Sequence, residues 1–324
     1  MNHSPLKSFL LRSQSVLALT LLIVVLGATT DRFLSVENGL NVLRQISINV
    51  CLSLGMTMII LSGGIDLSVG SMLALAGAIA AGLMKNGITL AGFDVQLQFT
   101  PLGGIVAGIV VGLGLGMANG LAITRFRLPP FVATLGMLSI ARGLTMLWTG
   151  GYPITSLGEN FGQLGTGYFL GIPMPVCIAA VLAGIFFVVT RRTRFGRYLY
   201  AIGGNERAAE LSGIPVDRVK LWVYTIGGGL AGIAGLLFTA RLDSATPTAG
   251  DGYELDSIAA VVIGGTSLSG GRGSISGTVL GCLIIGILNN GLVLSGVSTF
   301  WQQVVKGVVI IVAVAIERAN RVES

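Results

Sequence analysis

Long apolar stretches alternate with short polar segments along the chain, and this pattern predicts a protein built from membrane-crossing α-helices. A helix needs about 20 mostly apolar residues to cross about 30 Å of hydrocarbon. About ten stretches approach that length, near residues 14–30, 42–61, 66–84, 100–123, 131–148, 173–190, 219–240, 256–268, 274–294 and 302–316. The stretch at 256–268 is too short to cross alone, so we expect a broken or re-entrant helix there.

The composition agrees with this pattern. Hydrophobic residues make up 52% of the 324 residues and charged residues only 10%, against about 25% in a typical soluble domain. We therefore predict an all-α fold: a polytopic transmembrane helical bundle in which residues 1–324 form a single domain surrounded by membrane lipid. The 49 glycines fit such a bundle because small residues let helices approach closely.

Positive charge follows alternate spans. Arginines cluster after the fourth, sixth and last spans, at 125–127, 191–197 and 318–321. By contrast, residues 149–172 carry only Glu159, and residues 241–256 carry four acids against one arginine. Cytoplasmic loops are enriched in Lys and Arg, so we expect ten spans with both termini in the cytoplasm. The net charge of +6 then reflects these loops, and we expect no nucleic-acid partner.

The segment 62–71, SGGIDLSVGS, separates two apolar stretches. Its adjacent glycines break a helix, and Asp66 or Ser68 can cap the helix that restarts by accepting bonds from its free N–H groups. Two interpretations stay open at this point: an element that lines a translocation path, or a capped turn at the membrane surface.

A related run lies near the other end of the chain. The run GGTSLSGG at 264–271 shares five of eight residues with the run at 63–70. Duplicated halves are common in transporters, so the likeness indicates either a pseudo-repeat of two halves or chance in a glycine-rich chain.

Glycines also recur at a spacing of four, which places them on one helix face. One ladder consists of Gly104, Gly108, Gly112, Gly116 and Gly120, and a second of Gly273, Gly277 and Gly281. We interpret both as surfaces for close helix packing.

Two groups of neutral polar side chains lie inside apolar spans. Asn49, Ser53 and Thr57 follow one another at a spacing of four, and Asn289 and Asn290 lie late in the ninth span. Amides and hydroxyls can hydrogen-bond a neutral polyol along a translocation path, or they can bond neighbouring helices. Both interpretations stay open at this point.

The polar segment 191–218 predicts a cytoplasmic loop that contains a short helix at 205–213. Asn205 is a favourable N-cap, Glu206 suits the first turn, and Gly213 ends the helix. So short a helix is marginal alone in water, so we expect the bundle or a soluble partner to hold it.

Motifs for catalysis and metal binding are missing from the sequence. No lysine follows a glycine, so there is no phosphate-binding loop for ATP. Cys51, Cys177 and Cys282 lie in apolar stretches, and the single histidine is His3, so we expect no metal, no cofactor and no catalytic residue. The chain is therefore not predicted to be an enzyme.

Four segments, in order, resemble the sugar permeases of bacterial ABC importers, in particular the ribose permeases. They are SGGIDLSVGS at 62–71, RFGRYLYAIGGNERAAELSGI at 194–214, PTAGDGYELDSIAAVVIGGTSLSGGRGSISGT at 247–278 and NNGL at 289–292. The resemblance extends from about residue 30 to the C-terminus.

This resemblance implies an inner-membrane permease that pairs with a second copy of itself or a homologous permease. A separate ABC ATPase subunit would dock on the cytoplasmic face, and a periplasmic sugar-binding protein would deliver the ligand. Residues 205–213 would be the coupling helix, and the resemblance gives this role to Asn205, Glu206, Arg207, Ala208, Ala209, Glu210 and Gly213. One inserted residue departs from the family's EAA pattern.

The leading hypothesis is therefore a permease that moves ribose or a related monosaccharide, with ATP hydrolysed by a separate subunit. The alternative is an ATP-independent secondary carrier or channel. A proton-coupled carrier usually has more buried acids than this chain shows in its spans, where Arg142 and Lys306 are the clearest charges. The candidate path residues are Asn49, Ser53, Thr57, Asp66, Ser68, Asn289 and Asn290.

Overall fold

A computed structural model describes residues 5–30, 32–90 and 95–322, so His3 lies outside the described residues. The helices there are α1 (Pro5–Thr29), α2 (Val36–Leu61), α3 (Val69–Lys85), α4 (Pro101–Arg125), α5 (Pro130–Thr149), α6 (Glu159–Thr166), α7 (Met174–Arg192), α8 (Arg194–Gly204), α9 (Glu206–Leu211), α10 (Val216–Leu242), α11 (Tyr253–Ile263), α12 (Ile275–Leu294) and α13 (Thr299–Val322).

Short strands occupy the connections at one end of the bundle. They are β1 (Ile88–Leu90), β2 (Val95–Leu97), β3 (Ile154–Thr155), β4 (Tyr168–Phe169), β5 (Ile172–Pro173) and β6 (Ser244–Ala245). They form three antiparallel pairs, β1 with β2, β3 with β6 and β4 with β5. The sequence did not predict these strands because segments of two or three residues are too short to show an alternating pattern. Helices α8 and α9 lie at the opposite end.

The predicted polytopic helical class is confirmed. Among the described residues, six helices are long and apolar enough to cross a membrane: α2, α4, α5, α7, α10 and α12. The same part of the chain has three shorter apolar helical stretches, at 16–29, 69–85 and 299–315.

Helix α2 forms the centre of the bundle. All of its residues from 46 to 61 are buried, on every face of the helix. A helix that is apolar on all sides is expected in the middle of a packed core. Helices α10, α12, α7 and α11 pack around it, and α3 lies against α10.

The first glycine ladder packs α4 directly against α10 and α3. A Cβ atom at Gly112 would collide with the carbonyl oxygen of Gly228, and one at Gly116 with that of Tyr224. At Gly108 it would come within 2.9 Å of Leu236 and 3.1 Å of the Ala76 carbonyl. The glycines therefore let the backbones approach more closely than any side chain permits.

The second ladder does the same for α12 and α11. A Cβ atom at Gly281 would collide with the Ala260 carbonyl oxygen, and one at Gly277 with that of Gly264. The predicted packing role agrees with these contacts for the first ladder and for Gly277 and Gly281. Gly273 is not on the helix face, because it precedes the N-cap of α12 and adopts φ 154°.

The chain re-enters the bundle between α10 and α11. Beyond β6, which lies near the C-terminal end of α3, it runs without helix until Gly250 meets Gly70 at the N-terminal end of α3. Helix α11 starts there, inside the bundle, and its 11 residues rise only about 16 Å. The broken or re-entrant element expected near 256–268 is thus present, and its non-helical part precedes the helix.

Arg142 of α5 supports this re-entrant segment. Its guanidinium donates to the carbonyl oxygens of Pro247 at 2.6 Å and Ala249 at 3.0 Å, and it pairs with the Asp251 carboxylate. Non-helical backbone at membrane depth needs such partners because lipid offers no hydrogen bonds. The charge at Arg142 therefore has a structural role.

We predict that Gly112→Ala destabilises the bundle, because the new methyl group collides with the α10 backbone. Overpacking of this kind costs about 1–3 kcal/mol. The matched control is Gly114→Ala on the same helix, where a Cβ meets nothing within 4 Å. Thermal unfolding of the purified protein in detergent should show a lower midpoint for Gly112→Ala alone. Equal midpoints for the two variants would contradict the close α4–α10 contact.

Candidate functional site

A small polar cavity lies between α2, α11, α12 and α13. Its volume is about 100 Å³, whereas pockets that hold drug-sized ligands typically measure about 300–1,000 Å³. The cavity is therefore too small to hold a monosaccharide in this conformation. The polar side chains in its wall include Gln45, Asn49, Tyr253, Asp256, Asn289, Gln302 and Lys306.

Two of the residues that line this cavity form an ion pair. Nζ of Lys306 on α13 lies 2.8 Å from Oδ2 of Asp256 in the first turn of α11. An acid at a helix N-terminus also interacts favourably with the helix dipole. In the sequence, Asp256 is the last of the acids at 241–256 and the first residue of the apolar stretch at 256–268. The re-entrant segment carries it into the bundle, where it is 7% exposed.

Two of the predicted path residues, Asn49 and Asn289, line the cavity. Asn49 is 9% and Asn289 8% exposed. The side-chain oxygen of Asn289 has no hydrogen-bond partner among the described residues. A buried acceptor without a donor is destabilising, so this oxygen would gain a hydrogen bond from a ligand or water that reached it.

The other two polar residues of the Asn49, Ser53 and Thr57 set on α2 bond neighbouring helices. The Ser53 hydroxyl lies 3.1 Å from that of Ser257 on α11, and the Thr57 hydroxyl lies 2.6 Å from that of Thr278 on α12. Ser53 and Thr57 have no exposed surface. These hydroxyl pairs tie α2 to the two helices that carry the cavity.

Asn290 points away from Asn289 and pairs with α2. The amides of Asn290 and Asn38 exchange two hydrogen bonds, of 2.8 and 3.0 Å. This reciprocal pair satisfies both amides and joins the outer parts of α12 and α2.

Asp66 and Ser68 lie in a buried turn between α2 and α3. The Asp66 carboxylate accepts hydrogen bonds from the Ser68 backbone N–H at 2.8 Å and the Ser68 hydroxyl at 2.5 Å. Asn119 of α4 donates to the same hydroxyl at 3.0 Å. Both residues of the turn have zero exposure. The turn is away from the cavity, and Asp66, rather than Ser68, supplies the side-chain acceptor near the start of α3.

The two related glycine runs lie side by side. Each ends a helix with a left-handed glycine, at Gly63 (φ 81°) and Gly265 (φ 85°). The Gly271 N–H donates to the Leu61 carbonyl at 3.1 Å, and a Cβ atom at Gly270 would lie 3.1 Å from the Gly63 nitrogen. The ends of α2 and α11 are therefore joined through their backbones.

Helix α8 packs against both runs. A Cβ atom at Gly203 would collide with the Leu61 carbonyl oxygen and with the Gly271 nitrogen. The Tyr200 hydroxyl donates to the Gly273 carbonyl oxygen at 3.0 Å. Burial raises the pKa of the Tyr200 phenol, although the positive charge of Arg191 opposes the shift, so the group stays a neutral donor. Any displacement of α8 therefore acts on the ends of α2 and α11 together.

Helix α9 follows α8 and projects from the bundle. Its N-cap is Asn205, whose side chain accepts from the Ala208 N–H at 3.0 Å. Gly213 adopts φ 81° just beyond its end, and Lys220 on α10 pairs with Glu206 at 2.7 Å. Ala209 alone is buried, while Leu211 is 76% exposed. A short, well-capped helix with an exposed leucine is suited to contact a partner.

Asp256, Tyr253 and Gln302 line the cavity but were not among the predicted site residues. Lys306 carried the available signal, as a charge inside an apolar span. Its partner was hidden because Asp256 lies at the edge of a short stretch whose re-entrant path is not visible in the composition. Among the side chains that the structure describes, no group of three or more His, Cys, Asp or Glu residues is placed to bind a metal ion.

Comparison with known proteins gives consistent matches. A family model described as the branched-chain amino acid transport system / permease component matches residues 38–314. The ribose import permease protein RbsC of Bacillus subtilis (strain 168) is 53% identical over 304 residues, which cover 93% of this chain and 91% of that protein. The protein of the same name in Escherichia coli (strain K12) is 45% identical over 319 residues, 97% of this chain and 96% of that protein.

A relative with another sugar in its name matches as well. The D-allose transport system permease protein AlsC of Escherichia coli (strain K12) is 40% identical over 301 residues, which cover 93% of this chain and 89% of that protein. No solved structure matches the chain. The chain belongs to the family of permease components of the branched-chain amino acid transport system, as a multi-pass protein of the bacterial inner membrane and a transporter subunit rather than an enzyme.

Proposed function

We propose that the chain is the permease subunit of an ATP-driven importer for ribose or a related monosaccharide. The observation that carries this proposal is the match, over nearly the whole chain, to proteins named ribose import permease. The polar cavity supports it, because amides, a phenol and a balanced ion pair suit the hydroxyl groups of a neutral sugar better than a charged solute.

The proposed topology has ten spans with both termini in the cytoplasm. Each of the ten apolar stretches coincides with a helix, namely α1 to α5, α7 and α10 to α13. The chain starts α1 and ends α13 at the end of the bundle that holds α8 and α9. Arginines at 191–197 gather at this same end, in agreement with the positive-inside rule.

The proposed partners are a separate ABC ATPase subunit, a periplasmic sugar-binding protein and a second copy of this chain or a homologous permease. Helix α9 offers a surface for the ATPase through its projecting side chains. The proposed coupling residues are Asn205, Glu206, Arg207, Ala208, Ala209, Glu210 and Gly213. Asn205 and Gly213 would set the ends of α9, and the exposed charges and Leu211 would meet the partner.

The proposed translocation path passes the cavity between Asn49 and Asn289. Ser53, Thr57 and Asn290 would hold the helices that form its walls, and the Asp66–Ser68 turn would fix the end of α2 at the cytoplasmic side. All seven belong to the predicted path set. Asn49 and Asn289 would face the cavity, and the other five would hold the helices around it.

The mechanism follows from the contacts of α8. ATP binding would move the ATPase subunits and with them α9 and α8. Because Gly203 lies against Leu61 and Gly271, this motion would shift the ends of α2 and α11 and open the cavity to the other side. The ATP-bound ATPase subunits would then favour the arrangement of the bundle for which they have the higher affinity.

The transport activity can be tested by reconstitution. We expect proteoliposomes that contain the permease, its ATPase and the sugar-binding protein to accumulate labelled ribose only when ATP is supplied. Accumulation without the ATPase subunit would contradict the proposal and favour a secondary carrier.

The docking role of α9 can be tested with Leu211→Asp. We expect this variant to bind the ATPase subunit about tenfold more weakly, because an apolar contact of about 1.4 kcal/mol is lost. The matched control is Leu170→Asp, at an 86% exposed leucine in the connection between β4 and β5 at the other end. The readout is the affinity of the purified subunits for each other. Equal weakening in both variants, or none in either, would argue against docking on α9.

The link from α8 to the bundle can be tested with Gly203→Ala. The added methyl group would collide with the Leu61 carbonyl, so we expect sugar transport to fall at least about fivefold while the ATPase still binds. Gly204→Ala is the control, since a Cβ there meets nothing within 4 Å. Transport by Gly203→Ala at the rate of the Gly204→Ala control would disprove the proposed link.

A further inference from the structure

Two opposite charges face each other inside the bundle, at Asp256 on α11 and Lys306 on α13. Their side chains are only 9% and 28% exposed. Ionisable groups within membrane segments are costly and usually serve a function. A buried ion pair adds little net stability because the desolvation of both groups offsets their attraction. Stability alone therefore does not account for this pair.

Asn289 gives a second, independent indication of a ligand at the same place. Its residue is 92% buried, from an exposure of 8%, and its side-chain oxygen lacks a hydrogen-bond donor among the described residues. Its neighbour in the sequence, Asn290, exchanges two hydrogen bonds with Asn38. The unpartnered oxygen therefore belongs specifically to the residue that faces the cavity.

The chemistry of the three side chains is complementary to a polyol. The Asn289 oxygen and the Asp256 carboxylate accept hydrogen bonds, and the Lys306 ammonium donates them. Each sugar hydroxyl donates one hydrogen bond and can accept others, so two neighbouring hydroxyls together can bond to all three side chains. The ion pair has no net charge, so it offers a charged solute no net attraction to offset the cost of taking that charge out of water.

From this geometry we propose that Asp256, Lys306 and Asn289 form a binding station for the hydroxyl groups of a neutral sugar inside the bundle. This inference rests on the proposed function and adds to it the residues that would contact the sugar, two of them charged. The sugar hydroxyls would replace the Asp256–Lys306 contact as α13 moves away from α11. The small volume of the cavity, about 100 Å³, requires such a movement before a monosaccharide can enter.

The test compares two variants in the full complex of permease, ATPase and sugar-binding protein in proteoliposomes. One is the double variant Asp256→Asn with Lys306→Met, which removes both charges and leaves no unpaired ion. The other is Asn289→Leu, which replaces the unpartnered oxygen by apolar atoms. The control is Thr145→Val on α5, because the buried Thr145 hydroxyl bonds only to the Ala141 carbonyl of its own helix.

The readout is the amount of labelled ribose transported per ATP hydrolysed, together with thermal stability. We expect both station variants to transport about tenfold less ribose per ATP, with ATP hydrolysis stimulated by the loaded binding protein retained within about twofold. Asn289→Leu should unfold at the same or a higher temperature than the parent, because a buried acceptor without a donor has been removed. A purely structural role would instead lower stability and hydrolysis together.

The outcomes separate the two proposals. A parent complex that moves no ribose with ATP would overturn the proposed function and the station with it. A working parent whose Asn289→Leu and double variants transport as much ribose per ATP as Thr145→Val would overturn the station alone. If one of the two variants fails to assemble, the transport per ATP of the other variant tests the station. Loss of transport per ATP in Asn289→Leu at full stability would support the station.

Discussion

The close backbone contact at Gly203 is the interaction on which the mechanism depends. There α8 touches the last carbonyl of α2 and the glycine run that follows α11, with no side chain between them. Backbone contacts of this kind transmit displacement well, because packed interiors deform little. The contact connects the projecting helix α9 to the two helices that carry Asn49 and Asp256. It is the contact that joins α8 to the ends of both of these helices at once.

A second constraint shapes the same region. Lipid cannot satisfy exposed N–H and C=O groups, so non-helical backbone at membrane depth must be enclosed by protein. The Asp66 turn satisfies this by bonding Ser68, which in turn bonds Asn119. The re-entrant segment satisfies it through the Arg142 guanidinium. The charges and amides that look misplaced in an apolar sequence thus hold the irregular segments in position.

The sequence was most informative where one physical effect dominates. Apolar length identifies the spans, and the caps at Asn205 and Gly213 locate α9, because both signals are local. The start of α11 was not predictable in the same way. Its acids resemble those of an outer loop, and only the contact between Gly250 and Gly70 shows that the chain turns inward. The pairing of Asp256 with Lys306, 50 residues apart, depends on that turn and so was missed.

The central claim is that the nucleotide state of the ATPase controls access to Asn289 through α8. The most direct measurement is the rate at which a small, water-soluble thiol reagent modifies Asn289→Cys in the assembled complex, with Cys177 replaced by serine to remove the partly exposed native thiol. The rate should differ at least about tenfold between the nucleotide-free and the ATP-trapped complex, and this difference should disappear when Gly203→Ala is added. A rate that is the same in both nucleotide states would contradict the claim.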